Sequence, residues 1–201
     1  MKYNLLKHSL VKKTLSIVAL CYSAIFFMSC SDQTELVKPI GQVRLEYPKP
    51  TYVHFKPIAP YTFQYSNFGM IKEGKQTNWY IVHYPHMKAN IFLTYFPVNS
   101  KEDLYVKIKE SERFVQEQTV KASYISPQVF EFPEKRVFGT LYELGGQSAI
   151  NLQFHATDSV KNFISGSVYF STEPKADSLA PAVAYIKKDV QHLIETLSWR
   201  K

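Results

Sequence analysis

The stretch Asn78-Trp79-Tyr80-Ile81-Val82-His83-Tyr84-Pro85-His86-Met87-Lys88-Ala89-Asn90-Ile91-Phe92-Leu93-Thr94-Tyr95-Phe96 decides the fold. From Asn78 to Tyr84, the residues Trp79, Ile81 and His83 alternate with Tyr80, Val82 and Tyr84. A period of two over this length predicts a strand, because successive side chains point to opposite faces of a sheet. Lys88 to Phe96 reads as a second strand. The short Pro85-His86-Met87 between them makes the pair a hairpin.

Working outward, Tyr61, Phe63 and Tyr65 share one face of an earlier strand, with turns at Asn67-Phe68-Gly69 and Glu73-Gly74-Lys75. After the hairpin the period changes. Ser100 is placed to cap a helix, and Asp103 three residues on completes a capping box that also suits the positive end of the helix dipole. Leu104, Ile108, Ser111, Val115 and Ala122 recur at helical spacing. Pro127 ends the linker that follows. Strands are predicted over Gln128–Phe132, Arg136–Leu144, Ala149–Ala156 and Asn162–Phe170, with Gly145-Gly146 and Thr157-Asp158-Ser159 as turns. A last helix carries the stripe Leu179, Val183, Ile186, Val190, Leu193, Ile194 and Leu197. Asp177 or Ser178 is its expected cap, and Pro181 is expected in its first turn, where a missing N–H costs little.

The order is three strands, helix, four strands, helix. Strand–helix–strand alternation is not sustained, which argues against a doubly wound parallel sheet. The expected fold is α+β: one twisted, mainly antiparallel sheet of six to seven strands with two main helices packed on it, similar to a Mog1/PsbP-like sandwich. Tyrosine and phenylalanine number 14 each, in keeping with a sheet-rich core.

The amino terminus reads differently. Lys2, Lys7, Lys12 and Lys13 precede an apolar run from Leu15 to Met28, then Ser29-Cys30 and a polar stretch. The run is short for a permanent span, which needs roughly 20 residues. This is the layout of a bacterial lipoprotein signal over residues 1–29. The Cys30 thiol would carry a thioether-linked diacylglycerol, and cleavage before Cys30 would free its amino group for acylation. Each buried CH₂ then contributes about 0.8 kcal/mol of anchoring. Phe27 and Met28 depart from a strict lipobox, while Ser29-Cys30 fits it. An ordinary secretory signal and an uncleaved anchor are the other readings. Residues 30–60, with Pro39, Pro48, Pro50, Pro57 and Pro60, are expected to form a tether. Residues 61–201 are expected to form a single domain. Within the tether, Val43-Arg44-Leu45-Glu46-Tyr47-Pro48 alternates and is expected to dock on the body.

Both cysteines, Cys21 and Cys30, lie in or at the end of the leader, so a cleaved and lipidated chain has no free thiol. The four leader lysines also account for more than half of the +7 net charge. What remains is an ordinary surface with no field suited to nucleic acid.

Few constellations carry chemistry. His83 and His86 point to opposite faces if both lie on a strand, which argues against joint metal binding. Asn151, Gln153 and His155 line one face of a strand whose other face is Ile150, Leu152 and Phe154. That polar row offers a ligand or partner surface, or simply a solvent-facing one. A deep cleft joining His155 to Glu143 would favour a hydrolase. His155, Asp158 and Ser159 have catalytic residue types but no nucleophile elbow. No phosphate loop occurs. No catalytic residue, metal or cofactor is therefore expected.

Several segments resemble one family when taken in order. They are Val43–Pro48, Asn90–Tyr95 with Pro97-Val98-Asn99, Leu141–Gly146, Gly166–Phe170, Asp177–Pro181 and Leu193–Trp199. Together they resemble the gliding motility lipoproteins GldD of the Bacteroidota. The resemblance implies an envelope lipoprotein needed for gliding and for type IX secretion, without enzymatic activity, whose partners are other envelope proteins of those systems. The expected protein is a non-catalytic accessory or scaffold, lipid-anchored at Cys30 and facing the periplasm, with the outer membrane favoured by Ser31 after the cysteine. Its expected partner contacts are Arg44, Glu46, Tyr47, Asn151, Gln153 and His155. A lipid-anchored hydrolase or ligand-binding protein, and a chaperone for exported chains, are the rival readings.

Overall fold

The computed structural model describes residues 47–146, 148–171 and 176–200, with Ala176–Ser178 described as backbone only. The leader, Cys30, Arg44 and Glu46 lie outside the described residues, as do the Asp177 and Ser178 side chains expected to cap the last helix.

The decisive hairpin forms as expected. Strand β5 (Tyr80–Tyr84) pairs antiparallel with β6 (Ala89–Pro97), with His83 opposite Asn90. The connection is a 3-10 turn, Pro85–Met87, closed by Lys88 in the left-handed region at φ 50°. The chain uses this device again. A turn at Pro133–Lys135, closed by Arg136 at φ 53°, joins β7 (Ala122–Phe132) to β8 (Val137–Gly146). In both turns proline sets φ at the first position, and the amide of the left-handed residue bonds back to the proline carbonyl.

Helix α1 (Lys101–Glu117) begins as its sequence requires: the Ser100 Oγ accepts from the Asp103 amide at 3.1 Å. The reciprocal bond goes to the Asn99 amide rather than to that of Ser100. Strands β9 (Ile150–Thr157) and β10 (Asn162–Phe170) follow β8, and α2 (Ala176–Thr196) follows them. Helix α2 starts ahead of Asp177, so Pro181 sits inside the helix and not in its first turn.

The sheet also contains β4 (Met70–Glu73), a short edge strand that the sequence reading took for the space between two turns. Its seven strands run β4-β5-β6-β10-β9-β8-β7, every pair antiparallel. Two meanders thus meet at the β6–β10 pair. Helix α1 carries the chain from the centre of the sheet to its far edge.

The strand predicted over Tyr61–Tyr65 joins smaller sheets instead. Strand β1 (Tyr52–His54) pairs with β3 (Gln64–Ser66), and β2 (Tyr61–Thr62) pairs with β11 (Ser198–Trp199). Residues 47–60, read as tether, are therefore packed on the body. Phe55 is buried, stacked on Phe63 at 4.6 Å and edge-on to Tyr80 at 4.9 Å. The Pro57 and Pro60 carbonyls accept bonds from Arg200. Proline spaced among aromatic anchors makes a rigid strap, which its composition alone disguises as a linker.

The main core lies between the sheet and α2. Leu152, Phe154 and Ala156 of β9 meet Ile186, Val190 and Leu193 of α2 in one buried cluster. Burying such a side chain contributes roughly 1.5–3 kcal/mol. Gly166 on β10 makes room for this layer, because a Cβ there would sit 2.1 Å from the Phe154 ring. Gly166→Ala is expected to cost about 1–3 kcal/mol by overpacking. A urea unfolding midpoint equal to that of the wild type would show that Phe154 does not pack over this glycine.

Candidate functional site

Strand pairing decides what each side of β9 faces. Asn151, Gln153 and His155 do share one face, but they are not a solvent surface: each is buried, at 6%, 3% and 5% exposure. Helix α1 lies over Gln153 and His155. The Ser111 Oγ lies 3.4 Å from His155 Nδ1. The imidazole stacks on Phe163 at 5.8 Å, with Tyr142 tilted beside it at 6.4 Å. Burial pushes the His155 pKa down, against a weaker upward pull from the Glu112 carboxylate. The ring is therefore neutral and serves as packing.

Glu143 stands on the opposite face, since it pairs across from Leu152 whereas Thr140 pairs across from His155. Its carboxylate accepts a bond from Lys187 of α2 at 2.6 Å. No cleft joins His155 to Glu143. Asp158 and Ser159 are likewise committed. The Asp158 Oδ1 accepts the amides of Val160, Lys161 and Asn162 at 2.7–2.9 Å, and Ser159 is left-handed at φ 65°. Burial pushes the Asp158 pKa up, but the amide bonds together hold it below its ordinary value. This carboxylate closes a turn.

Beside the buried row lies a groove of about 400 Å³ between α1 and the sheet. Thr94 and Phe96 of β6, Ser165 and Ser167 of β10, and Phe114 of α1 line it, with Gln153 on its wall. The Gln153 Nε2 donates to Ser165 Oγ at 3.1 Å. Its Oε1 is sealed from solvent and meets no donor, the one such atom among the described side chains. The sequence reading missed the serines and Thr94. Their signal was the small, polar Ser165-Gly166-Ser167 in a strand of otherwise bulky residues, and Ser111 within the apolar stripe of α1.

The second polar constellation lies on the α2 side. Asp189, 2% exposed, accepts the Tyr52 hydroxyl at 2.9 Å and the Tyr84 hydroxyl at 3.1 Å. It ties β1, β5 and α2 together. Burial raises the Asp189 pKa above its ordinary 3.8, only partly offset by the two hydroxyl bonds. Tyr47, expected as a partner contact, packs on Tyr185 with ring centres 4.9 Å apart, and the Tyr185 hydroxyl donates to the Pro48 carbonyl at 2.9 Å.

Other candidates are accounted for. His83 bonds Asn90 at 2.7 Å, and His86 is exposed in the hairpin turn. Among the described residues no group of three His, Cys, Asp or Glu side chains could hold a metal ion, and no helix is long and apolar enough to cross a membrane.

Sheet and helices define an α+β domain whose buried polar groups tie its elements together. A family model described as Gliding motility lipoprotein GldD matches residues 32–199. The chain therefore belongs to the family of gliding motility lipoproteins GldD. No curated protein matches it.

Two pH dependences follow from the buried groups. His155 has a lowered pKa in the fold, so its contribution is present above about pH 6.5 and is lost as pH falls through the folded value. His155→Gln is expected to flatten this acid limb in urea titrations between pH 5 and 7, at a basal loss of about 1–2 kcal/mol. An unchanged slope would refute a neutral, buried imidazole. Asp189 has a raised pKa, so its contribution is greatest below the ordinary 3.8 and is lost as pH rises through the folded value. Asp189→Asn, neutral at every pH, should therefore gain on the wild type between pH 4 and 7. A constant difference between the two proteins would mean that the carboxyl titrates as it does in water.

Proposed function

We propose that this protein is a lipid-anchored, non-catalytic accessory subunit of the cell envelope that gliding motility and type IX secretion both require. Family membership carries the reading. The leader ending at Ser29-Cys30 supports it, because such a leader would direct export from the cytoplasm and acylation of Cys30 would then hold the domain at a membrane. The periplasmic face of the outer membrane is the proposed site, on the strength of Ser31 following the cysteine.

The commitment of His155, Glu143, Asp158 and Asp189 to packing, ion pairing and turn closure supports a role without catalysis. A partner needs accessible surface. Burial of Asn151, Gln153 and His155 moves the proposed contact away from that row. The better candidates are the outer side of α1, with exposed Tyr105 and Val106, and the edge strand β7, with exposed Tyr124 and Val129. Exposed aromatic and aliphatic side chains grouped on an edge suit a protein contact.

The test is the secreted proteome of a strain lacking the protein, with and without complementation. Type IX cargo should be retained in the cell and released again when the gene is restored. A Cys30→Ser protein that reaches the periplasm should fail to restore it. Normal secretion in the deletion strain would overturn the export role, and full rescue by Cys30→Ser would overturn the anchor.

A further inference from the structure

We propose that the groove between α1 and the sheet is a binding site for a short neutral saccharide. The saccharide would be held through Gln153, Ser165 and Ser167, with its carbon faces against Phe96 and Phe114. This inference is independent of any role in export.

The groove is hollow because of what the sequence puts there. On β10 the residues facing α1 include Ser165 and Ser167, and on β6 Thr94 stands opposite Ser165. Larger apolar residues at these positions would close the space, as Leu152 and Phe154 do on the other side of the sheet. A well-packed interior rarely leaves room of this size beneath a helix. At about 400 Å³ the groove falls in the range of small-ligand sites.

Its chemistry narrows the occupant. Gln153, at 3% exposure, is a polar side chain on the wall with one of its two polar atoms unpartnered. Its Nε2 holds Ser165, while its Oε1 lacks a donor. A buried amide oxygen left unpaired is unfavourable, and a ligand O–H or N–H would satisfy it. Because that oxygen is sealed from solvent, the amide must turn to meet a ligand, and the bond it exchanges is the one to Ser165. Serine and threonine hydroxyls both donate and accept, which matches the hydroxyls of a sugar.

Charge is not what the groove selects. Lys107 on the wall is ion-paired with Asp103, and Glu110 is exposed at the rim, where a carboxylate accepts sugar hydroxyls. Phe96 is half-buried and Phe114 is 37% exposed, so both side chains bring apolar surface to the groove for the C–H side of a pyranose. An extended peptide is disfavoured for a topological reason. The floor is made of β6, β10 and β9, all interior strands with both edges paired, so no backbone is free for strand addition.

The test uses the full lipidated chain in a zwitterionic detergent without a sugar headgroup. Cellobiose and diacetylchitobiose are titrated by calorimetry and by saturation-transfer NMR, with trialanine as the peptide comparison. At least one disaccharide should bind saturably in the millimolar range. Ser167→Leu, which fills the groove, and Gln153→Leu, which removes the amide, should each weaken that binding by about tenfold or more. The melting temperature of Ser167→Leu should stay at or above that of the wild type, which separates a filled groove from a damaged fold. The proposal is overturned if neither disaccharide saturates by about 50 mM. It is also overturned if Ser167→Leu, folded, binds as the wild type does, or if trialanine binds and the sugars do not.

Discussion

Strand β9 is buried along its whole length, from Ile150 to Thr157, and on both faces. That constraint governs the rest of the molecule. A strand covered on one side only can leave every second residue in water. A strand covered on both sides must provide an apolar layer for one helix and a satisfied or packed layer for the other. Leu152, Phe154 and Ala156 do the first under α2. Gln153, His155 and Thr157 do the second under α1 and at the turn, with Ser111, Phe163, Ser165 and the Asn162 carbonyl as neighbours. The long path of α1 from the central β6 to the edge strand β7 is what brings a helix across that polar row.

The hairpin of β5 and β6, the cap of α1, the antiparallel sheet and the stripe of α2 were legible in the sequence because each rests on local periodicity or local hydrogen bonding. The burial of His155 was not. Alternating polar and apolar residues on β9 read as one wet face, and only tertiary structure reveals that a helix crosses it. The strap at residues 47–60 was obscured for another reason. Proline density there suggests a solvated linker, but Phe55 and Ala59 are core residues and the proline carbonyls are acceptors for Arg200 and Tyr185. Strand β4 is only four residues long, with three of them exposed, too little pattern to detect. Of the candidate site, the residue types on β9 were visible. The groove beside them was not, because a cavity is defined by what several strands leave empty.

Asp189 shows how the strap is fixed. One carboxylate receives a hydroxyl from β1 and another from β5 while belonging to α2, so three parts of the chain far apart in sequence meet at one buried group. Keeping an acid there opposes its ionisation, as the raised pKa indicates. An apolar residue would pack more cheaply, yet it would not fix the position of Tyr52. Burial of the Asp189 carboxyl fixes the strap to the body through Tyr52.

The strap distinguishes the two sides of the sheet. Tyr47 and Pro48 pack on Tyr185, so the strap runs on the α2 side of the sheet. The groove, the outer surface of α1 and the exposed residues Tyr105 and Val106 belong to the other side. The small residues Ser165 and Ser167 of β10 leave the groove open on the α1 side, opposite the side that carries the strap.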